Sequence, residues 1–556
     1  MRTPLRKPHW IATSVLPLTL ALTVAGCAGG GDDSSSGDGS GGGVDPNGAL
    51  SAFTTEPQNP LIPGNTVEQG GTKVVRALFT GLTRYDPVTG ESKFAMADKI
   101  DTTDSKVYTI KIKSGWKFHD GTEVKAKNFV DAWNYTTYGP NAQLGASFFE
   151  QVQGYKDVHP ADPDGDGPQK APTPTADKLS GLKVVDDTTF QVTLYAPFSV
   201  FELKLGYTPF FPLPDSFFAD EKGFEAKPIG NGPFKFVSRK PNTEIKLTRN
   251  DDYKGDDPAK FKDLTYKMYE TNEAAYNAVV GGDLDFLDNI PPAGLTGGKY
   301  KQDLEGHNGS TPYMGNQTLT FPLYDPTYQN PDLRKAISLA INRQEIVDKI
   351  FDGTRIPADG WVNPAVPGYA KNQCPELCKY DPAKAKDYLA KSGFKGQIKL
   401  STNADGGHKD WMTATCNSIK NALGLDCVYE PIPTFSETRQ QITAHSMKAI
   451  FRSGWIADYP SIEDFLNQLY RTGASSNDGL YSNPKVDGLL AQADASPKVE
   501  DANKLYQEAE RVLNDDMPVI PLWNQTSQFG WSDRIDHARL SSLKDLDLTT
   551  VTVKKK

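Results

Sequence analysis

Residues 107–112 alternate, with Val107, Thr109 and Lys111 on one side and Tyr108, Ile110 and Ile112 on the other. A period of two predicts a half-exposed strand. Asp120-Gly121 then makes a turn, and Ala126, Phe129, Val130 and Trp133 recur at helical spacing. "LKVVDDTTFQVTLYAP" predicts a strand pair turning at Asp186-Asp187, and "GNGPFKFVSRKPNTEIKLTRN" a further hairpin. Before these, "LSAFTTEPQNPLIPGNT" opens the body at Leu50 as a strand running into a Pro/Asn/Gly loop. The later half changes character. "NPDLRKAISLAINRQEIVDKIFDG" holds two helices, the first striped by Leu333, Ile337 and Ala340, the second opened by Asn342 with Glu345 three residues on. Ala502, Leu505, Tyr506, Ala509, Val512 and Leu513 mark one face of a long helix leading into "MPVIPLWNQ", a short apolar strand. Strands and helices interleave throughout without a fixed-period repeat, which is the pattern of α/β layers.

With 556 residues the chain is too long for one simple core. A formal charge of −10 excludes the basic face of a general nucleic-acid binder, so no nucleic-acid partner is expected. The N-terminus carries location. Arg2, Arg6 and Lys7 precede the apolar "WIATSVLPLTLALTVAG", which is short and interrupted by Pro17, the layout of an export signal over 1–26. Val24-Ala25-Gly26-Cys27 resembles a bacterial lipobox, with Cys27 as the lipidated residue and 27–49 as a Gly/Ser/Asp tether to a membrane face. Loss of the three leader cations takes the charge from −10 to −13. The four remaining cysteines, Cys374, Cys378, Cys416 and Cys427, suit an oxidising compartment. Local pairing, Cys374 with Cys378 and Cys416 with Cys427, is the simplest of three connectivities; zinc is the alternative, without a His pair at ligand spacing.

Other chemistry finds little support. "DPDGDG" from Asp162 has Thr173 where an EF-hand loop needs its bidentate acid. There is no G-x-S-x-G, no H-E-x-x-H and no phosphate-binding glycine loop after a strand. No catalytic residue, cofactor or metal is therefore expected, and His119 reads as a turn histidine bonding its own loop. One acid stands out. Asp458 lies among Trp455, Ile456, Ala457 and Tyr459, and Arg452 is the only base just before it. A carboxylate in such company is costly unless a cation meets it. The plain alternative is that Asp458 caps a turn before Pro460.

Several stretches, in order, resemble one family: "RALFTGLTRYDPVTGESKFAMADKI", "YTIKIKSGWKFHDGTEVKAKNFVDAW", "IGNGPFKF" with Asn231 where Thr is common, "LRKAISLAINRQEIVDKIFDG" and "GWIADYPSIEDF". The chain is similar over nearly its whole mature length to the extracytoplasmic solute-binding proteins of ABC importers, family 5, the dipeptide/oligopeptide-binding group. The resemblance implies a type II periplasmic-binding-protein-like α/β fold. Lobe I would take 50–77, 182–311 and 525–556, an inserted domain 78–181, and lobe II 312–524, with crossings near Tyr313 and Trp523. It implies a monomeric receptor that closes on an oligopeptide and delivers it to separate ABC permease subunits, with no chemistry of its own. Asp458 would meet the peptide's ammonium, Trp455 would form a wall, Gly454 would let backbone approach, and Tyr459 completes the motif. Phe435 would line a side-chain pocket, Tyr313 would sit at the hinge, and Asn65 and Thr66 would face the cleft from lobe I. Relatives that take metal chelates, haem, sugars or opine-like solutes keep a non-peptide ligand open, and a secreted hydrolase is the reading from another class.

Overall fold

The computed structural model describes residues 43–162, 171–474 and 476–555. The leader, Cys27 and all but the first residue of "DPDGDG" lie outside them. Residues 43–49, expected as the end of a tether, are instead tied to the C-terminus: the Asp45 amide donates to the Val553 carbonyl at 2.7 Å, and the Lys555 amide to that of Gly43 at 2.7 Å.

Along the chain, β1 (Ala49–Phe53) is followed by α1 (Gln69–Leu78). The inserted domain contributes β2 (Ala97–Asp101), β3 (Val107–Ile112), α2 (Ala126–Thr137), β4 (Leu182–Asp186) and β5 (Thr189–Thr193). These strands form their own four-stranded antiparallel sheet, order β2-β3-β5-β4. That corrects the expected return to lobe I at residue 182. The hairpin 182–193 pairs with β3, and a hairpin reads the same in sequence whichever sheet it joins. Trp133 centres this domain, with Phe149, Phe190 and Phe210 rings 5.4–5.5 Å away and its indole N–H donating to the Phe210 carbonyl.

Lobe I resumes with β6 (Phe234–Lys240), β7 (Glu244–Arg249), β8 (Asp263–Lys267) and β9 (Phe286–Leu287). His119, in the turn after β3, pins the start of β6. Its Nδ1 accepts from the Gly230 amide at 3.1 Å, and its Nε2 faces the Gly232 carbonyl at 3.1 Å. Burial pushes this imidazole down to about 4, so it is neutral. The histidine therefore clamps the glycine segment rather than its own turn. Asn231, between those glycines, exchanges side-chain hydrogen bonds with the backbone of Thr80.

The chain then crosses on β10 (Asn308–Thr320), builds lobe II, and returns on a strand of equal length. Lobe II holds α3 (Pro331–Leu339), α4 (Arg343–Phe351), β11 (Ile356–Pro357), β12 (Ile398–Asn403), α5 (Lys409–Leu423), β13 (Cys427–Ile432), β14 (Ile450–Ile456), α6 (Ile462–Tyr470) and α7 (Val499–Asp516). The return strand β15 spans Val519–Trp531, longer than the apolar run alone predicts. Asn342 opens α4 as expected: its side chain accepts from the Glu345 amide and donates to the Glu345 carboxylate. Arg343 beside it is wholly enclosed and spends its guanidinium on the carbonyls of Ser338, Ile341 and Pro521. Both expected disulfides form, Cys374–Cys378 and Cys416–Cys427, the second joining α5 to β13.

One eleven-stranded sheet runs through both lobes, in the order β13-β12-β14-β10-β15-β9-β1-β8-β7-β6 with β11 on β15. The antiparallel pair β10 and β15 joins the halves. Its register breaks in the middle: Pro312 faces Thr526 and Asn316 faces Asn524, so Tyr313–Gly315 oppose Gln525 alone. A bulge of this kind bends a ladder locally. From Tyr313 to Thr320 every residue of β10 is buried. Among the described residues no helix is long and apolar enough to cross a membrane.

Candidate functional site

Strand β14 leads directly to the acid singled out in the sequence. Its last residues run beside β10, and the Ala457 amide donates to the Met314 carbonyl at 2.8 Å, tying the turn to the bulge. After Tyr459 and Pro460, Ser461 caps α6 by accepting from the Glu463 amide. Asp464, on the first turn of α6, then reaches back. It accepts from the Asp458 amide at 3.0 Å and from the Trp455 indole N–H at 2.9 Å. Asp464, not Asp458, holds this turn.

The Asp458 carboxylate is thereby left for other work. It is half-buried, and protein encloses it closely enough that desolvation pushes it up to about 7. The group turned toward it is the hydroxyl of Tyr207, from the opposite side of the cleft. That hydroxyl lowers its pKa without reaching full hydrogen-bond geometry, and Arg76 and Lys204 act on it at longer range. Burial, then the nearby Asp458 charge, raise Asp464 well above the usual carboxylate range. Tyr459 is fully buried and donates its hydroxyl to Glu463 at 2.6 Å.

The remaining expected residues divide. Trp455 is half-buried beside Asp458. Gly454 is needed by its own sheet: a Cβ there would lie 2.7 Å from the Asn316 carbonyl on β10, so its lack of a side chain serves strand packing. Tyr313 lies buried in the bulge, with the Lys544 ammonium 5.5 Å over its ring. Phe435, 45% exposed, sits at the first turn of the helix Phe435–Thr443. Asn65 accepts a long bond from the Leu144 amide at 3.4 Å. Thr66 does not face the cleft as expected. It is wholly buried and its hydroxyl donates to the Pro60 carbonyl at 2.8 Å, which closes its own loop.

Two arginines join the site that sequence reasoning did not assign. Arg452 and Arg355 both act on the Tyr313 hydroxyl, and burial lowers the pKa of each guanidinium. Arg355 bonds the Gln528 side chain at 2.8 Å and the Thr526 carbonyl; Arg452 reaches Gln317 at 3.5 Å. The Nε of each is buried without a partner, and no carboxylate lies within ion-pair distance of either among the described residues. Arg452 stands six residues before Asp458, at most about 20 Å of extended chain. The signal was the same oddity as the acid: a cation on an apolar strand with no acid beside it. A cavity of about 480 Å³ opens beside α1, lined among others by Phe53, Tyr85, Arg76, Asp288 and Asp545. Arg76 and Tyr85 connect its wall electrostatically to Asp458. Among the described residues no cluster of His, Cys, Asp and Glu could hold a metal.

The sequence profile of the bacterial extracellular solute-binding proteins, family 5, matches residues 93–477. Oligopeptide-binding protein OppA of Bacillus subtilis is 29% identical over 545 residues, covering 94% of this chain and 95% of that one. Periplasmic oligopeptide-binding protein OppA of Salmonella typhimurium is 29% identical over 463 residues, covering 81% and 82%. The crystal structure of Haemophilus influenzae OppA in complex with RPPGFSPFR superposes with a TM-score of 0.77 at 22% identity, over 92% of this chain and 100% of that one. That likeness shows the two-lobed fold. With the profile extending from the inserted domain far into lobe II, the chain belongs to the bacterial extracellular solute-binding proteins of family 5.

Proposed function

We propose that this protein captures oligopeptides bearing a free amino terminus, closes its lobes over them and delivers them to an ABC permease. As a member of a solute-binding family it is a receptor and not an enzyme. The observation that carries the peptide reading is the division of labour between two acids. Asp464 satisfies the turn, while Asp458, six residues earlier, keeps a desolvated carboxylate with no backbone amide on it among the described residues. A ligand ammonium completes that carboxylate, and the unpaired Arg452 and Arg355 supply a cationic counterpart for the peptide's carboxylate. The relatives named oligopeptide-binding support the same ligand class. Anchoring by lipid at Cys27 and action as a monomer complete the proposal; both rest on the sequence.

Calorimetry at pH 8 with a mixed library of short peptides tests it. N-acetylation of the library, or Asp458→Ala, should weaken binding by about 2–5 kcal/mol, tens- to thousands-fold. Equal binding of acetylated and free peptides would remove the role given to Asp458. Mass spectrometry of co-purifying solute decides between a peptide and a non-peptide ligand.

A further inference from the structure

Lys204 is 1% exposed, at the end of the short helix Phe201–Lys204, on the side of the cleft opposite β14. A buried ammonium is costly unless an acid meets it, yet among the described residues no carboxylate lies within ion-pair distance of this one. Its contacts are of another kind. The ammonium lies 3.2 Å from the Gln151 side-chain oxygen, 5.1 Å over the Phe198 ring and 5.5 Å over the Tyr459 ring. Gln151 and Phe198 are on its own side; Tyr459 belongs to lobe II and is the residue after Asp458. Tyr459 donates its hydroxyl to the Glu463 carboxylate, which enriches its ring in electrons and strengthens the attraction for a cation above it. The Phe148 and Tyr207 rings meet Tyr459 from the same side, at 6.4 Å each.

We propose that Lys204 is a positioning residue for ligand capture: lying over Tyr459, the residue after Asp458, it holds Asp458 in the charged form that accepts an ammonium. This rests on the reading of Asp458 given above. The charge balance around that carboxylate explains the need. Asp464 on α6 lies beside it, itself raised well above the usual carboxylate range by burial and then by the Asp458 charge, and the hydroxyls of Tyr459, Tyr85 and Tyr207 face it without charge. The cations acting on it are Arg76 and Lys204. Arg76 is already engaged by Asp545. Lys204 is the cation of the two without an acid of its own, and it opposes the ionisation penalty on both Asp458 and Glu463.

The test is the pH profile of binding, measured by calorimetry on the full chain with a mixed library of short peptides, free and N-acetylated. Affinity expressed per protonated peptide amino terminus, whose own pKa is about 7.7–8.0, rises with pH until Asp458 is fully ionised, so the midpoint reports its state before ligand arrives. Lys204→Met keeps the apolar stem and removes the charge; its midpoint should move up by about one pH unit. Lys204→Arg, which restores the cation, should return it toward the wild-type value. A Lys204→Met profile that superimposes on wild type, while wild type still rejects acetylated peptides, overturns this proposal and leaves the Asp458 reading standing. Wild-type protein that binds acetylated peptides equally overturns both.

Discussion

Asp458 and Asp464 are both acids, six residues apart, and the structure gives them opposite duties. Their difference can be measured. Asp464→Asn keeps an acceptor oxygen for the Trp455 indole and the Asp458 amide, and because Asp464 is raised well above the usual carboxylate range it removes little charge where Asp458 ionises. We expect peptide affinity at pH 8 within a few-fold of wild type and a binding midpoint left in place. Asp458→Asn, by contrast, should abolish the selectivity for a free amino terminus. The sign of the wild-type profile follows from burial. A carboxyl raised from its ordinary value to about 7 binds its proton more tightly in the folded state. It therefore favours the folded state at low pH, and that contribution is lost as pH rises from about 4 to 7. A ligand ammonium draws the proton off, so affinity should fall about tenfold per pH unit below 7, as titration calorimetry across pH 5–8 will show. The acid itself was legible in sequence as a charge in apolar company. Its facing groups, Tyr207 and Lys204, were not, because only the fold brings such distant segments together.

Single elements show how local signals became architecture. The alternation of 107–112, the hairpin turns and the Asn342 cap were readable because each is decided by neighbours in the chain. The boundary at 182 was not, since strand pairing is decided by distant partners. Thr66 was misplaced for a related reason: a loop hydroxyl can face a ligand or its own backbone, and Pro60 takes it. His119 joins the two levels. It clamps the Gly230–Gly232 segment from another hairpin, and burial holds it neutral. A histidine with a depressed pKa binds its proton less well when folded, so stability is present above about pH 6.5 and is lost as pH falls toward 4. His119→Ala should lower stability by about 1–3 kcal/mol in denaturant titrations at pH 7.5, and it should flatten that acid-side loss.

At the scale of the whole molecule, two long strands carry the chain crossings and the sheet between the halves among the described residues, and their ladder is irregular at Tyr313–Gly315. A second shift follows between Gln317 and Thr318, which face Trp523 and Pro521, so two breaks lie close together and the ladder bends there more easily than a regular one. Asp458 is tethered to that same place through Ala457 and Met314, so engagement of the anchor and bending of the hinge act on one short piece of backbone. The C-terminal segment reaches it as well: the Met314 amide donates to the Ser542 carbonyl at 2.8 Å. This proximity was partly legible, since Tyr313 and Trp523 were expected near the crossings, but the bulge was not, because an extra residue in a ladder leaves no mark on a single strand's pattern.

Both cystines lie between residues 374 and 427, inside the same half of the protein. Reduction therefore removes covalent staples from that half alone, each closing a short loop of separation 4 or 11 and contributing on the order of 2–3 kcal/mol. Calorimetric melting with thiol reductant should split a single transition into two, the early one assigned to lobe II by proteolytic fragments. The staples thus make the stability of this half alone follow the redox state of the compartment that holds the chain.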